Sequence, residues 1–520
     1  MVLRRHWALG FRTVGLSLAA LVSSAAAFAQ GVAPVPPAAP HPATQPAPAP
    51  NPAAAPAPVV APAPAVAPVA PAPVAPIPVA PAPVTPPPVA VTVAPAEPSP
   101  PPVALPELPP ATPSGVDNEP EPTADEWYDS FDVRLFADAY AAWNFNAPKP
   151  QNNGGGVVRA FDTSNGFALA WAGLDISHAA EPVGGTLALR FGPSAQRYNS
   201  SCLGPKCDAD YGLGNVKQAF ASWRPGGGSS PVTIDFGKFD TIYGAEVAES
   251  QDNMNYTRGV LYWLGQPAFH TGLRVNAEVT DNLNLRALVV NGWNNTIDNN
   301  SGKTFGLQAT VHAPRGDSHE WISASLGYLG GPEQSDTLPV TCATGTVFDP
   351  GSPSGCSPGT MGDTSGTIDR PTSNTKGWRH FVDVLLTSDP VDALHLVLNG
   401  SLGVENLRNA AASTTFSSHS WFGAMLGARY LVTSKFALAA RQEAYRDKDG
   451  VTTGSVNGKA ITEATITSST LTVDYLPTAN LLLRLDNRLD WSNRKIFPDG
   501  VRDLKGTQYT TTLGVVVTTN

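Results

Sequence analysis

The sequence predicts an all-β fold: a closed antiparallel transmembrane β-barrel of about 16 strands, preceded by a signal peptide and a disordered Pro/Ala-rich segment. Three observations carry this. Segments of about ten residues alternate apolar with polar side chains from residue 131 to the end. The same region holds no apolar run long enough for a membrane-spanning helix, which needs roughly 18 residues. Finally, the connections between the alternating segments switch regularly between long and short.

The first residues read as an address. Arg4, Arg5 and Arg12 precede an apolar stretch at 14–28, and Ala27-Phe28-Ala29 offers a small-x-small cleavage site. Residues 1–29 are therefore expected to be a signal peptide, and the mature chain to leave the cytoplasm. Next comes a Pro/Ala/Val-rich linker, residues 30–130. Its core, 31–123, holds 34 of the chain's 52 prolines and no Lys or Arg. Proline fixes φ and removes backbone donors, so this stretch is expected as polyproline II rather than helix or strand. Fully extended it would reach about 290 Å at 3.1 Å per residue.

Charge excludes one class of partner. The chain has 33 Lys+Arg against 43 Asp+Glu, a net charge of −10, and no basic block, so nucleic acid is not an expected partner. Charged residues make up only 15% of the chain, against 42% hydrophobic.

The third domain, 131–520, is the barrel. At 480–491, Leu481, Leu483, Leu485, Leu489 and Trp491 share one strand face, while Arg484, Asp486, Arg488 and Asp490 share the other. At 270–281, Leu273, Val275, Ala277 and Val279 oppose Arg274, Asn276 and Glu278; at 186–191, Leu187, Leu189 and Phe191 oppose Arg190. Strict period-two charge suits either a soluble sandwich with a wet outer face or a barrel in lipid with a wet lumen. Connection lengths separate the two. Candidate strands begin near Phe131, Asn165, Val183, Asn215, Val232, His270, Leu283, Lys303, His319, Trp378, Leu394, His419, Lys435, Ile461, Asn480 and Gln508. Between them, short links such as 181–182, 280–282 and 433–434 alternate with long ones such as 147–164, 194–214, 245–269 and 332–377. An outer-membrane barrel has short periplasmic turns on one rim and long loops on the other, whereas a sandwich has no reason to sort loop length by parity. With an even strand number both termini, and the linker, lie in the periplasm.

Five stretches stand in order along residues 131–520: Gly237-Lys238-Phe239, Gly244-Ala245-Glu246 with Glu249-Ser250, and His270-Thr271-Gly272-Leu273-Arg274, then Asn291-Gly292-Trp293 with Asp298-Asn299-Asn300, and Arg441-Gln442-Glu443. On these stretches the region resembles the OmpL-like putative β-barrel porin-2 family of Gram-negative outer membranes. The resemblance implies an outer-membrane porin: a water-filled channel for passive diffusion of small hydrophilic solutes or ions, in contact with outer-membrane lipid and lipopolysaccharide. It also implies a homotrimer as the assembly to look for. One departure is the C-terminus, Val517-Thr518-Thr519-Asn520, where such barrels usually finish on an aromatic residue; the apolar pattern at 513–517 would then serve assembly.

General porins fold the loop after the fifth strand into the lumen. By resemblance the 245–269 connection, with Glu246, Glu249, Asp252, Arg258, Tyr256, Tyr262 and Trp263, is the expected constriction. Its acidic groups would face Arg134, Arg190, Arg274, Arg286, Arg484 or Arg488 and set up a transverse field. Uncharged solutes without dipoles would pass it less readily. Asp138, Glu278, Arg441, Glu443, Asp486 and Asp490 complete the pore-lining candidates. The other reading of the loop is an ordinary extracellular connection whose charges keep it solvated.

Cys202 and Cys207 fall in one long loop, Cys342 and Cys356 in another, so two local disulfides are expected in an oxidising compartment. No metal, cofactor or enzymatic activity is expected. Gly302-Lys303-Thr304 lacks the upstream glycine of a phosphate loop, and Asp447-Lys448-Asp449-Gly450 lacks the remaining ligands of a calcium loop and reads as a polar hairpin. The competing function is a structural or adhesive outer-membrane protein whose Pro-rich segment engages peptidoglycan. A lipid-hydrolysing barrel would need Ser, His and Asn or Asp converging on its outer face.

Overall fold

The computed structural model describes residues 130–519 apart from 150–164, 200–211, 315–319, 343, 350–355, 360, 364, 370–375, 410–414, 457–458 and 502. The expected signal peptide, the expected linker up to residue 129 and the Cys202–Cys207 pair lie outside the described residues.

Sixteen strands form one closed barrel. In chain order they are β1 (Phe131–Asn144), β2 (Asn165–His178), β3 (Val183–Phe191), β4 (Val216–Trp223), β5 (Val232–Asp240) and β6 (Phe269–Thr280). Then follow β7 (Leu283–Val290), β8 (Thr304–Pro314), β9 (Glu320–Pro332), β10 (Trp378–Val391) and β11 (Leu394–Arg408). The last five are β12 (Phe416–Leu431), β13 (Phe436–Asp447), β14 (Ala464–Thr478), β15 (Leu481–Ser492) and β16 (Thr507–Thr518). Each strand pairs antiparallel with the next, and β16 closes onto β1 in a register from Phe136 opposite Thr518 to Asn144 opposite Thr510. Closure leaves no sheet edge, so every strand can find its backbone partners without water. Links of two residues at 281–282, 392–393 and 479–480 lie on one rim; connections such as 241–268, 333–377 and 493–506 lie on the other. Short two-stranded ribbons decorate that long-loop rim, Thr337–Thr341 with Ser365–Asp369 among them, and a disulfide joins Cys342 to Cys356 there.

The largest departures from the expected strand starts fall at β12 and β14. β12 begins at Phe416 rather than His419, because Ser417 and Ser418 still pair with Leu407 and Asn406; a polar strand end reads as loop in sequence. β14 begins at Ala464 rather than Ile461, since Glu463 takes a left-handed φ of 56° and donates its N–H to Lys448 O.

Burial is inverted relative to a water-soluble protein. On β14 Leu471 is 65% exposed, while its neighbours Thr470 and Thr472 on the inner face are 1% and 2% exposed. On β15 the inner charges Arg484, Asp486, Arg488 and Asp490 are buried, and Leu485, Leu489 and Trp491 are exposed. Exposed aromatics ring both rims: Phe131, Trp223, Trp321, Tyr430 and Phe436 on the short-turn side, and Trp143, Phe145, Phe167, Phe305 and Tyr509 on the other. Such girdles flanking an apolar band are what a lipid bilayer selects. Leu471→Arg, at the middle of the band, is expected to cost about 2–4 kcal/mol. The check is the urea midpoint in lipid vesicles, with Val501→Arg in the 493–506 connection as the silent control.

Candidate functional site in the barrel lumen

About sixteen strands enclose more space than their own side chains can fill. Here the 241–268 connection between β5 and β6 enters that space. Backbone buried away from water needs partners, and the polar inner faces of the wall supply them.

The connection begins with a turn that needs glycine. Gly244 has φ 84°, and a Cβ there would lie 2.2 Å from Gln266 Oε1. Its N–H donates to Asp383 Oδ1 of β10 at 3.0 Å. Glu246 then pairs with Arg441 of β13 at 2.6 Å and accepts the Gly259 N–H at 2.8 Å, so the two ends of the segment are tied to one carboxylate. Glu249 reaches the opposite wall, where Arg190 of β3 approaches at 2.8 Å and Lys217 of β4 donates to its other oxygen. Lys217 also pairs with Asp240 at 2.9 Å, and Arg190 with Asp175 at 2.6 Å.

The tip is held equally closely. Asp138 accepts from Ser250 Oγ at 2.5 Å and from Tyr256 Oη at 2.7 Å. It sits where the β1–β2 register shifts, a bulge that re-aims the side chain. Asp252 pairs with Arg134 at 2.8 Å. Arg484 donates to the carbonyls of Ser250 and Asn253 at 2.5 and 2.9 Å, while its Nε pairs with Asp474 at 2.6 Å. The Thr257 N–H donates to Asp486 Oδ2 at 2.8 Å, and Arg488 donates to Arg258 O at 2.7 Å while pairing with Asp490 at 2.8 Å. Arg258 in turn donates to Tyr198 Oη at 2.8 Å. The return leg contains a π-helical turn, Leu261–Gly265, whose Leu261 N–H donates to Glu443 Oε1 at 3.1 Å.

Electrostatics favours this seat. Burial alone would push the Glu249 carboxyl up, but Lys217 and Arg190 overcome it and hold it down at about 2. The opposite holds for the ring of Tyr198, whose hydroxyl burial pushes up to about 12, so it stays a neutral acceptor for Arg258.

Most expected residues are thus brought together: Glu246, Glu249, Asp252, Arg258, Arg134, Asp138, Arg190, Arg441, Glu443, Arg484, Asp486, Arg488 and Asp490 belong to the layer where loop meets wall. The expected field takes a different form there, because loop acids and wall arginines meet in closed ion pairs rather than facing each other across water. Arg274, Glu278 and Arg286 lie apart. They line a cavity of about 430 Å³ bounded by the loop residues Thr241–Gly244 and Glu246–Ala248 on one side and by Thr233, Asn276 and Asn284 of β5–β7 on the other. Arg274 pairs there with Asp235 of its own wall at 2.8 Å. Sequence reasoning missed Lys217, Asp240, Asp383 and Gln266. A signal existed for Asp383 alone, a charge between Val382 and Val384 on an alternating strand.

A family model described as putative beta-barrel porin-2, OmpL-like, matches residues 130–518. The chain belongs to this family. As a porin it is an outer-membrane β-barrel channel, and the closed sixteen-stranded barrel with a polar interior is the architecture that role requires. A search among curated proteins found no match. Among solved structures, the porin is similar to the outer membrane channel DcaP of Acinetobacter baumannii, at 12% identity and TM-score 0.46 over 75% of this chain and 97% of that one. It is also similar to OprB of Pseudomonas putida, at 13% identity and TM-score 0.42 over 75% and 94% of the two chains. OmpF of Salmonella typhi, in complex with daunomycin, gives 12% identity and TM-score 0.42 over 76% and 99%.

Proposed function

We propose that this porin conducts small hydrophilic solutes passively past the 241–268 segment, along the wall formed by β5, β6 and β7. The supporting observation is the cavity of about 430 Å³, bordered by Thr233, Arg274, Asn276, Glu278, Asn284 and Arg286, on the side of the lumen that the loop leaves open. The opposite side is closed by the hydrogen bonds and ion pairs of β1, β3 and β13–β15. The segment is the constriction, and its anchoring residues fix its position, Glu246 also bordering the cavity. The chain acts as a channel without catalysing a reaction. Purified protein in planar bilayers should give stable ionic conductance; folded barrels that remain electrically silent would overturn the reading.

The exposed apolar band fits contact with outer-membrane lipid and lipopolysaccharide. Assembly into a homotrimer is proposed on a separate feature. Gln442 and Ser469, hydrogen bonded at 2.5 Å, and Asn487, which accepts from Thr511 Oγ1 at 2.9 Å, stand on the outward face at mid-height of β13–β16. Acyl chains offer these polar side chains no partner beyond the ones they find within the sheet, whereas a second copy does. Light scattering of the detergent-solubilised chain tests this, monomers being the contrary result. We propose further that the linker at 30–130 lies in the periplasm, within reach of peptidoglycan; the support is that β1 begins and β16 ends on the short-turn rim.

A further inference from the structure

We propose that Arg286, with Arg274, Asn276 and Asn284 around it, forms a binding station for small oxyanions, solutes bearing a carboxylate or phosphate, in the lumen between the loop and the short-turn rim. The proposal rests on the channel reading above and adds a solute class to it. Five other lumen arginines are paired with acids: Arg134 with Asp252, Arg190 with Glu249, Arg274 with Asp235, Arg441 with Glu246 and Arg484 with Asp474. Arg286 forms no ion pair among the described residues, and its guanidinium makes one hydrogen bond, to Gln308 Oε1 at 3.2 Å. A guanidinium has five N–H donors in a planar fork that matches an oxyanion, so most of them remain available to the cavity.

The acids of the same cavity do not cancel this charge. Asp240 is held by Lys217 at 2.9 Å and Glu246 by Arg441 at 2.6 Å. Among the described residues Glu278 is the one of them without an ion pair; it lies opposite Asn284, two residues along the strands from the Asn276–Arg286 pair, and is exposed near the rim. Asn284 contributes in another way. Its amide oxygen is buried without a hydrogen-bond partner among the described residues, so the group is free to turn and present its NH₂ to a bound oxyanion. Arg224 adds a further cation at the mouth, donating to Thr233 Oγ1 at 3.3 Å and forming no ion pair among the described residues. A net charge of −10 would suggest a preference for cations, so the station makes the opposite prediction to composition.

The test uses the full chain in detergent and in planar bilayers. Calorimetric titration with citrate and with inorganic phosphate should show binding, and sucrose should show none. Arg286→Gln should weaken binding roughly ten- to hundredfold, the worth of a charged hydrogen bond, while Arg286→Lys keeps part of it. Under a potassium chloride gradient the reversal potential should indicate chloride preference, lost in Arg286→Gln and strengthened in Glu278→Gln. A conducting channel whose binding and reversal potential are the same in wild type and Arg286→Gln would overturn the station and leave the porin reading standing. Silent barrels that still bind citrate through Arg286 would overturn the channel reading and leave the station standing.

Discussion

Replacing Glu249 by alanine is expected to raise single-channel conductance severalfold and to lower the urea midpoint of the barrel. The carboxylate is 1% exposed and lies between Arg190 and Lys217, both also buried. Removing it leaves two cations at the lumen wall without their shared partner, and breaking a buried pair in this way costs about 3–5 kcal/mol. The cheapest relief is for the segment to leave the wall and let water in, which widens the path. Arg190→Ala should act in the same direction, though less, since Asp175 and Glu249 each keep another contact. The pH dependence follows with a definite sign. A carboxylate whose folded value is held down near 2 contributes its full stability above the ordinary Glu value of 4.5. That contribution declines as the pH falls below 4.5 and is gone below about 2. The Glu249 clamp therefore holds unchanged from pH 7 to about pH 5, and loosens only in stronger acid. In the Glu249→Gln variant the low-pH rise in conductance should already be present at pH 7.

The second large effect comes from a residue with no side chain. Gly514 lies on the inner face of β16, where a Cβ would sit 2.3 Å from the ring of Tyr256. Gly514→Leu is expected to drive Tyr256 off Asp138 and shift the loop tip, with a strain of about 1–3 kcal/mol typical of overpacking. Conductance should rise, and the midpoint should fall. The double variant Gly514→Leu with Tyr256→Ala separates steric displacement from damage to the barrel itself. Once the ring is gone, Gly514→Leu should add little to the change that Tyr256→Ala makes alone. Full additivity would show that Gly514 matters to the strand rather than to the loop. Gly427, where a Cβ would lie 2.3 Å from Met254 Cε, is a milder case, because the end of a methionine side chain moves easily.

The barrel was legible because its signal is local. A strand between lipid and water alternates apolar with polar, as 483–486 and 488–491 do, and each alternation can be read without knowing its neighbour. Loop parity was legible for the same reason. The seat of the loop was legible only in outline. Which carboxylate meets which arginine is decided by closure, which brings Glu246 to Arg441 and Ser250 to Arg484 across separations of 195 and 234 residues. Sequence shows that both charges face inward, but not that they touch, and so it suggests a field across open water where the fold makes contacts. Lys217 was hidden because β4 is short and its pairing with β3 shifts register between Ala188 and Leu189, which breaks the period-two pattern there. Glycine function was hidden altogether, since Gly514 and Gly427 acquire meaning only when Tyr256 and Met254 arrive from the far side of the lumen.

That arrival is the central physical claim, and a cross-link tests it most directly. With the native cysteines changed to serine, Asp138→Cys and Ser250→Cys place two thiols where the present side chains are 2.5 Å apart. In cells expressing the folded barrel, a short bifunctional thiol-reactive reagent, a bis-methanethiosulfonate from which each thiolate displaces methanesulfinate, should join them nearly completely. The joined protein should then conduct in planar bilayers at the wild-type level, because the loop is already there. Failure of the thiols to react with each other, with both modified freely by a bulky water-soluble reagent, would place the segment outside the lumen and contradict the account.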